Sequence, residues 1–159
     1  MQSEVAQAIG VEVQVRLTPE DRGRLARARP IRPDAVETYL RGMQEWWRWT
    51  DESVMNSLNH LRRAVEIEPN YSQAQAGLAL AWVSASTFIG LMAPTNVLQG
   101  KDAAERAIKL DPTLADAYVA RGYARLQYDW DWRGAEMDFT NALALSPHSS
   151  VAADGYSTF

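Results

Sequence analysis

The 159-residue chain has no cysteine, two histidines, three phenylalanines and fewer basic residues (16) than acidic ones (20). Without cysteine, disulfides and thiolate metal sites are excluded, and a cytoplasmic location is permitted. His60 falls within a helical stretch and His148 follows a turn proline; neither has the spacing of metal ligands, so no metal and no cofactor is expected. The net charge of −4 and a pI of about 5.2 argue against a general affinity for nucleic acid. No apolar run approaches the roughly 18 residues of a membrane span, and residues 2–5 lack the basic start of a signal peptide, so neither a span nor a leader is expected. Catalytic signatures are missing as well. No phosphate-cradling glycine loop, kinase catalytic loop, cyclase metal pair or Ser/His/Asp set can be assigned, so no enzyme is expected.

What the chain does have is an internal repeat. RAVEIEPN at 63–70, RAIKLDPT at 106–113 and NALALSPH at 141–148 each set an alanine (Ala64, Ala107, Ala142) five residues before a proline (Pro69, Pro112, Pro147), with an aliphatic pair between. The proline stops one helix and the next begins within two or three residues, so each unit reads as a helix pair. A lone pair cannot bury its apolar face. Stacking on its neighbours does so, and the stack leaves a concave groove.

Within the units the small and large residues recur at set places. The third unit has Tyr118 and Gly122 in its first helix, then Ala135, Phe139, Ala142 and Pro147. The second has Ala79 and Trp82, then Gly100, Ala104, Ala107 and Pro112; the first has Gly42, then Ser57, Leu61, Ala64 and Pro69. This pattern resembles the tetratricopeptide repeat. The resemblance implies an all-α fold, a right-handed α-α superhelix of antiparallel helix pairs whose first helices line a groove for a protein or peptide segment. The run SEVAQAIGVEVQVRLTPEDRGRLARARPIRPDAVETYLRG at 3–42, the DWDW of 129–132 and the long second unit also look like the linker-plus-repeat region of bacterial multidomain signalling proteins. In that group the region follows a TolB- or FlgO-like domain, itself behind a winged-helix, nucleotide cyclase or Ser/Thr kinase domain.

The expected organisation is a helical linker at 1–33, a remnant of an upstream domain, followed by repeats at 34–70, 71–113 and 114–148 and the truncated first helix of a fourth at 149–159. Both ends read as cut from something longer. Pro69 to Pro112 spans 43 residues and Pro112 to Pro147 spans 35, against about 34 for the family, which places an insertion of about nine near 86–95. Helices are expected at 2–16, 19–28, 34–49, 52–67, 71–89, 96–109, 114–128, 132–145 and 149–158, with Thr18, Thr50, Thr95 and Asp131 as N-caps. Residues 10–17 suit a strand by twos and a helix by fours; helix is favoured. Val5, Ile9, Val13 and Leu17 would then pack on the array.

Mapped on the family's groove positions, the partner-binding surface is Val36, Tyr39, Met43, Trp46 and Trp47, then Gln73, Ala76, Leu80, Val83 and Ser84, then Asp116, Val119, Tyr123, Leu126 and Gln127. It is largely apolar and aromatic. The Lys and Asn with which chaperone-binding members clamp a C-terminal carboxylate are absent, so a segment with apolar anchors suits it better. The alternative is that the array's own superhelix or the N-terminal helix buries several of these side chains. Trp46, Trp47 and Trp49 crowd one helix end and cannot all face one way, because consecutive positions differ by about 100°; at least one should be exposed. Asp129 and Asp131 form a carboxylate pair at a helix–helix turn, where capping is the expected role. Six arginines at 16–32 form a basic run that reads as a solvated hinge. The function this implies is a non-catalytic interaction scaffold within a larger signalling or regulatory protein. The alternative is self-association that positions an output domain, with an apolar patch at Val151, Ala152, Tyr156, Phe159 and the adjoining face of 132–145 as a homodimer contact.

Overall fold

The computed structural model describes residues 30–88 and 94–157, which from Arg32 onward lie in one compact unit. The expected helices 2–16 and 19–28, the cap Thr18, the arginine run up to Arg29, Phe159 and much of the insertion lie outside the described residues. Those described form seven α-helices and no strand: α1 (Pro33–Trp46), α2 (Asp51–Ile67), α3 (Ser72–Phe88), α4 (Pro94–Leu110), α5 (Ala115–Ala124), α6 (Trp132–Leu145) and α7 (Ser150–Ser157). A π turn, Arg125–Asp129, extends α5. Helices α1 and α2, α3 and α4, and α5 and α6 pack as antiparallel pairs, and α3 and α7 each pack against α5.

Each pair closes where one side chain is missing. A Cβ on Gly42 of α1 would stand 2.6 Å from Leu61 Cγ of α2, and one on Gly122 of α5 would stand 2.8 Å from Phe139 Cε1 of α6. In the second pair the sizes are inverted. Trp82 is the large residue on the first helix, and Gly100 on the second would place a Cβ 2.9 Å from it. This is why Ala104 can occupy the position filled by Phe139 in the third unit. Leu58, Leu61, Ala79, Leu80, Trp82, Ala104, Val119, Ala120, Phe139, Ala142 and Ala152 join in a single buried seam along the units. Burial of each large side chain in it contributes about 1.5–3 kcal/mol.

The ends of the helices follow local chemistry. Thr50 and Ser53 cap α2 reciprocally, each side chain accepting from the other's backbone N–H at 3.1 and 3.0 Å. Asp131 caps α6 through Gly134 N–H at 2.9 Å. Three expectations change, the first being that the helix expected to run to 49 ends at Trp46, with Trp49 left-handed and Thr50 capping α2. Thr95 is not a cap, because α4 already starts at Pro94, whose fixed φ and missing N–H suit a first helical position. The helix expected to run to 128 is α-helical only to Ala124; beyond it the Trp130 and Asp131 N–H groups both reach back to the Arg125 carbonyl.

Candidate groove on the first helices

Helices α1, α3, α5 and α7 are the first helices of successive units, and together they line a cavity of about 530 Å3. Ligand clefts commonly run to about 300–1,000 Å3, so this is a useful size. The described residues that line it are Trp46, Trp47, Trp49, Leu80, Val83, Ser84, Thr87, Tyr123, Gln127, Ser150, Val151 and Asp154.

The tryptophans divide as helical geometry requires. Trp46 is 3% exposed and donates from Nε1 to Ser84 Oγ at 2.8 Å, tying α1 to α3, while Trp47 and Trp49 are 55% and 49% exposed. Their rings stand 4.8 and 5.1 Å from the Trp46 ring. Trp49 holds a left-handed backbone with φ 54°. A bulky residue there is strained, and such strain gathers at ligand clamps. On the opposite wall the Thr87 hydroxyl lies between the Val83 carbonyl (2.9 Å) and Gln127 Oε1 (3.2 Å), linking α3 to α5. The Tyr123 hydroxyl donates to Asp154 Oδ2 at 3.0 Å, linking α5 to α7.

Of the residues expected in the groove, Trp46, Trp47, Leu80, Val83, Ser84, Tyr123 and Gln127 meet in this cavity. The others do not. Val119 is fully buried in the seam, and Ala76 packs with Ala107 and Ala117 between units, because a close helix crossing turns these positions inward. Met43 and Tyr39 lie over Gly77 of α3, where a Cβ would come within 3.0 and 3.4 Å of them. Val36 and Leu126 are half-buried and Gln73 is exposed. Tyr39, Tyr71 and Asp116 instead form a second group. The two tyrosine rings meet edge to face at 5.2 Å. Burial pushes the Tyr39 phenol up to about 12, with Tyr71 and Asp116 adding to it, and burial also raises the Asp116 carboxyl.

Thr87, Ser150, Val151, Asp154 and Trp49 were not assigned to the groove from sequence. The signal for two of them was present: moving Asp116 and Val119 on by the 35-residue repeat lands on Val151 and Asp154.

Outside the cavity, Asp129 pairs with Lys101 and Asp131 caps α6, so both carboxylates are committed to structure. No group of three His, Asp or Glu among the described residues is placed to hold a metal, and no described helix is long and apolar enough to cross a membrane. The expected C-terminal patch changes in membership. Ala152 is fully buried and Val151 half-buried, because Gly155 seats α7 tightly on Phe139, leaving Tyr156, Met137 and Leu145 exposed.

No family model matches this chain, and no curated protein matches it. Solved structures do. The OM64 TPR domain from Arabidopsis superposes with a TM-score of 0.61 at 18% identity, over 78% of this chain and 92% of that one. The Sgt2 TPR domain from Aspergillus fumigatus gives 0.62 at 18% identity, over 80% and 77%. The first TPR of Spaghetti (RPAP3), bound to the HSP90 peptide SRMEEVD, gives 0.57 at 17% identity, over 79% and 89%. With paired helices closed by glycine against a large apolar residue, and a groove on the first helix of each pair, the described residues adopt the tetratricopeptide-repeat fold.

Proposed function

We propose that this chain is a non-catalytic protein-interaction module that holds a segment of a partner protein by apolar anchors in the cavity between α1, α3, α5 and α7. The observation that carries this is the cavity itself, with aromatic and aliphatic walls and a few placed polar groups; in support, the first TPR of RPAP3, which shares the fold, is bound to a peptide. The repeats at 34–70, 71–113 and 114–148 supply the wall in turn. We place the module in a larger bacterial signalling or regulatory protein acting in the cytoplasm; the support is the likeness of residues 3–42 and 129–132 to such proteins.

The test starts from peptides selected on the wild-type protein by random-peptide display and titrated against Val83→Glu. Val83 is half-buried in the cavity wall, so the charge should weaken binding at least tenfold and leave the melting temperature within a few degrees. Peptides indifferent to the substitution would refute the groove. The SRMEEVD peptide should not bind, since among the described residues no lysine or asparagine lines the cavity.

A second reading, self-association that positions an output domain, draws on exposed Met137 (64%), Tyr156 (46%) and Leu145 on the last two helices. Light scattering separates the two: a monomer at high protein concentration favours the partner groove, and a dimer whose mass does not change on dilution favours assembly.

A further inference from the structure

A second cavity, of about 170 Å3, opens between α2, α3 and α4. It lies on the far side of α3 from the groove: its Leu78 and Trp82 alternate with the groove's Leu80 and Ser84, and two residues along a helix make a turn of about 200°. Its buried lining includes Leu78, Trp82 and Ala103. The exposed side chains among the described residues that line it are Arg62 of α2 and Gln99, Asp102 and Arg106 of α4. Neither arginine has a countercharge. The Arg62 guanidinium stands 5.4 Å from the centre of the Trp82 ring, attracted by the ring's quadrupole, and no carboxylate of a described residue pairs with it. Glu66, one turn after it, takes Arg63 instead at 3.0 Å. Arg106 forms no hydrogen bond or ion pair with a described residue, although Asp102 stands one turn before it on α4.

We propose that this cavity receives a single carboxylate, the glutamate or aspartate side chain of a bound protein segment, between Arg62 and Arg106. Guanidinium is the side-chain group best matched to a carboxylate, being weakly hydrated and able to donate two parallel N–H bonds. The Gln99 amide adds a neutral donor, and the methylenes of the incoming side chain lie against Trp82 and Leu78. Size and charge both select the occupant. The volume falls below the roughly 300–1,000 Å3 of clefts that enclose a whole small ligand, so it suits one side chain. With Asp102 counted, the described lining carries two positive charges and one negative, a surplus that matches one carboxylate and not a phosphate group of about −2. Arg62 is already placed over Trp82, so it gives up less freedom on binding than an unattached surface arginine would.

The experiment is a random-peptide display selection on the full chain, with the selected peptides titrated against Val83→Glu and against Arg62→Gln/Arg106→Gln. One class should ignore Val83→Glu and carry glutamate or aspartate at a fixed place. Its members should bind the double variant about tenfold more weakly, and replacing the peptide's acid by its amide should cost a similar factor. Raised salt should weaken their complex with the wild type. If the double variant does not fold, Arg106→Gln alone, at an exposed position, should weaken the same peptides about threefold. Acidic peptides that bind the arginine variants as well as the wild type, or a pool in which every peptide is sensitive to Val83→Glu, overturn the proposal and leave the groove standing. Peptides insensitive to Val83→Glu that do lose affinity with the arginines support it whatever becomes of the groove. Butyrate and inorganic phosphate, titrated by NMR against the Trp82 indole, give the anion's class: butyrate should bind the more tightly, and the reverse order overturns the carboxylate assignment.

Discussion

Replacing Asp138 with alanine should cost the fold about 3–5 kcal/mol, the loss expected when one member of a buried ionic network is removed and its partners stay behind. Asp138 is 1% exposed and sits between Ala135 and Phe139 on the inner face of α6. Its two oxygens take Arg121 Nε at 2.9 Å, Arg121 Nη2 at 2.6 Å and Arg125 Nη1 at 3.0 Å. The planar fork of Arg121 fits the carboxylate in bidentate fashion, which makes the bonds short and directional. Alanine would strand two guanidinium groups in a site built for them to be neutralised. Arg125 would keep only its 3.0 Å bond to the Gly134 carbonyl and its longer contact with Asp131 at 3.9 Å. Urea denaturation of the two proteins measures the loss. A triple variant, Asp138→Leu with Arg121→Met and Arg125→Met, should recover most of it, because desolvating the network costs nearly as much as its attraction returns. A loss below about 1 kcal/mol for the single variant would mean that the arginines simply swing into water, as exposed ion pairs do.

Phe139→Ala should be of similar size, about 3–5 kcal/mol, and should act at a distance along the chain. The ring is fully buried and held on two sides by glycines. A Cβ on Gly122 would come within 2.8 Å of it and one on Gly155 within 2.5 Å, while Tyr123 meets it edge to face at 5.2 Å. One side chain thus closes the third helix pair and seats α7. Truncation leaves a cavity that two glycine backbones cannot fill, so α7 should loosen first. Hydrogen exchange at residues 152–157 should rise well beyond that of α3, with a melting temperature lower by on the order of 10 °C. Phe139→Leu should lose under about 1.5 kcal/mol, as volume-conserving changes do. Equal protection of α7 in wild type and Phe139→Ala would show that the helix is held by other contacts.

These two residues mark how far the repeat can be read from sequence. Phe139 stands at a position the spacing of Ala135, Ala142 and Pro147 picks out, and the alanine-to-proline interval placed helix ends within a few residues throughout. Where the chain departs, the causes are both local and distant. Helix α1 stops at Trp46 because Trp49 turns left-handed and Thr50 is taken up in capping α2. The π turn coincides with an arginine reaching a carboxylate thirteen residues on. Asp138 is an ordinary acidic residue until the fold is known. In the groove, positions on helix faces were readable, but whether Val119 or Tyr123 meets solvent depends on how closely neighbouring helices cross, and between α5 and α6 that approach is set by Gly122 against Phe139.

The π turn at Arg125–Asp129 bears on how such an array can grow. It closes α5: the Trp130 and Asp131 N–H groups return to the Arg125 carbonyl, and α6 departs from there. The next unit still docks behind it, because Gly155 of α7 admits the Phe139 ring. A tandem copy of this unit would therefore carry its own irregular turn and still offer the same glycine-and-ring socket to the copy after it, so lengthening by duplication, in evolution or by design, need not begin from a regular unit.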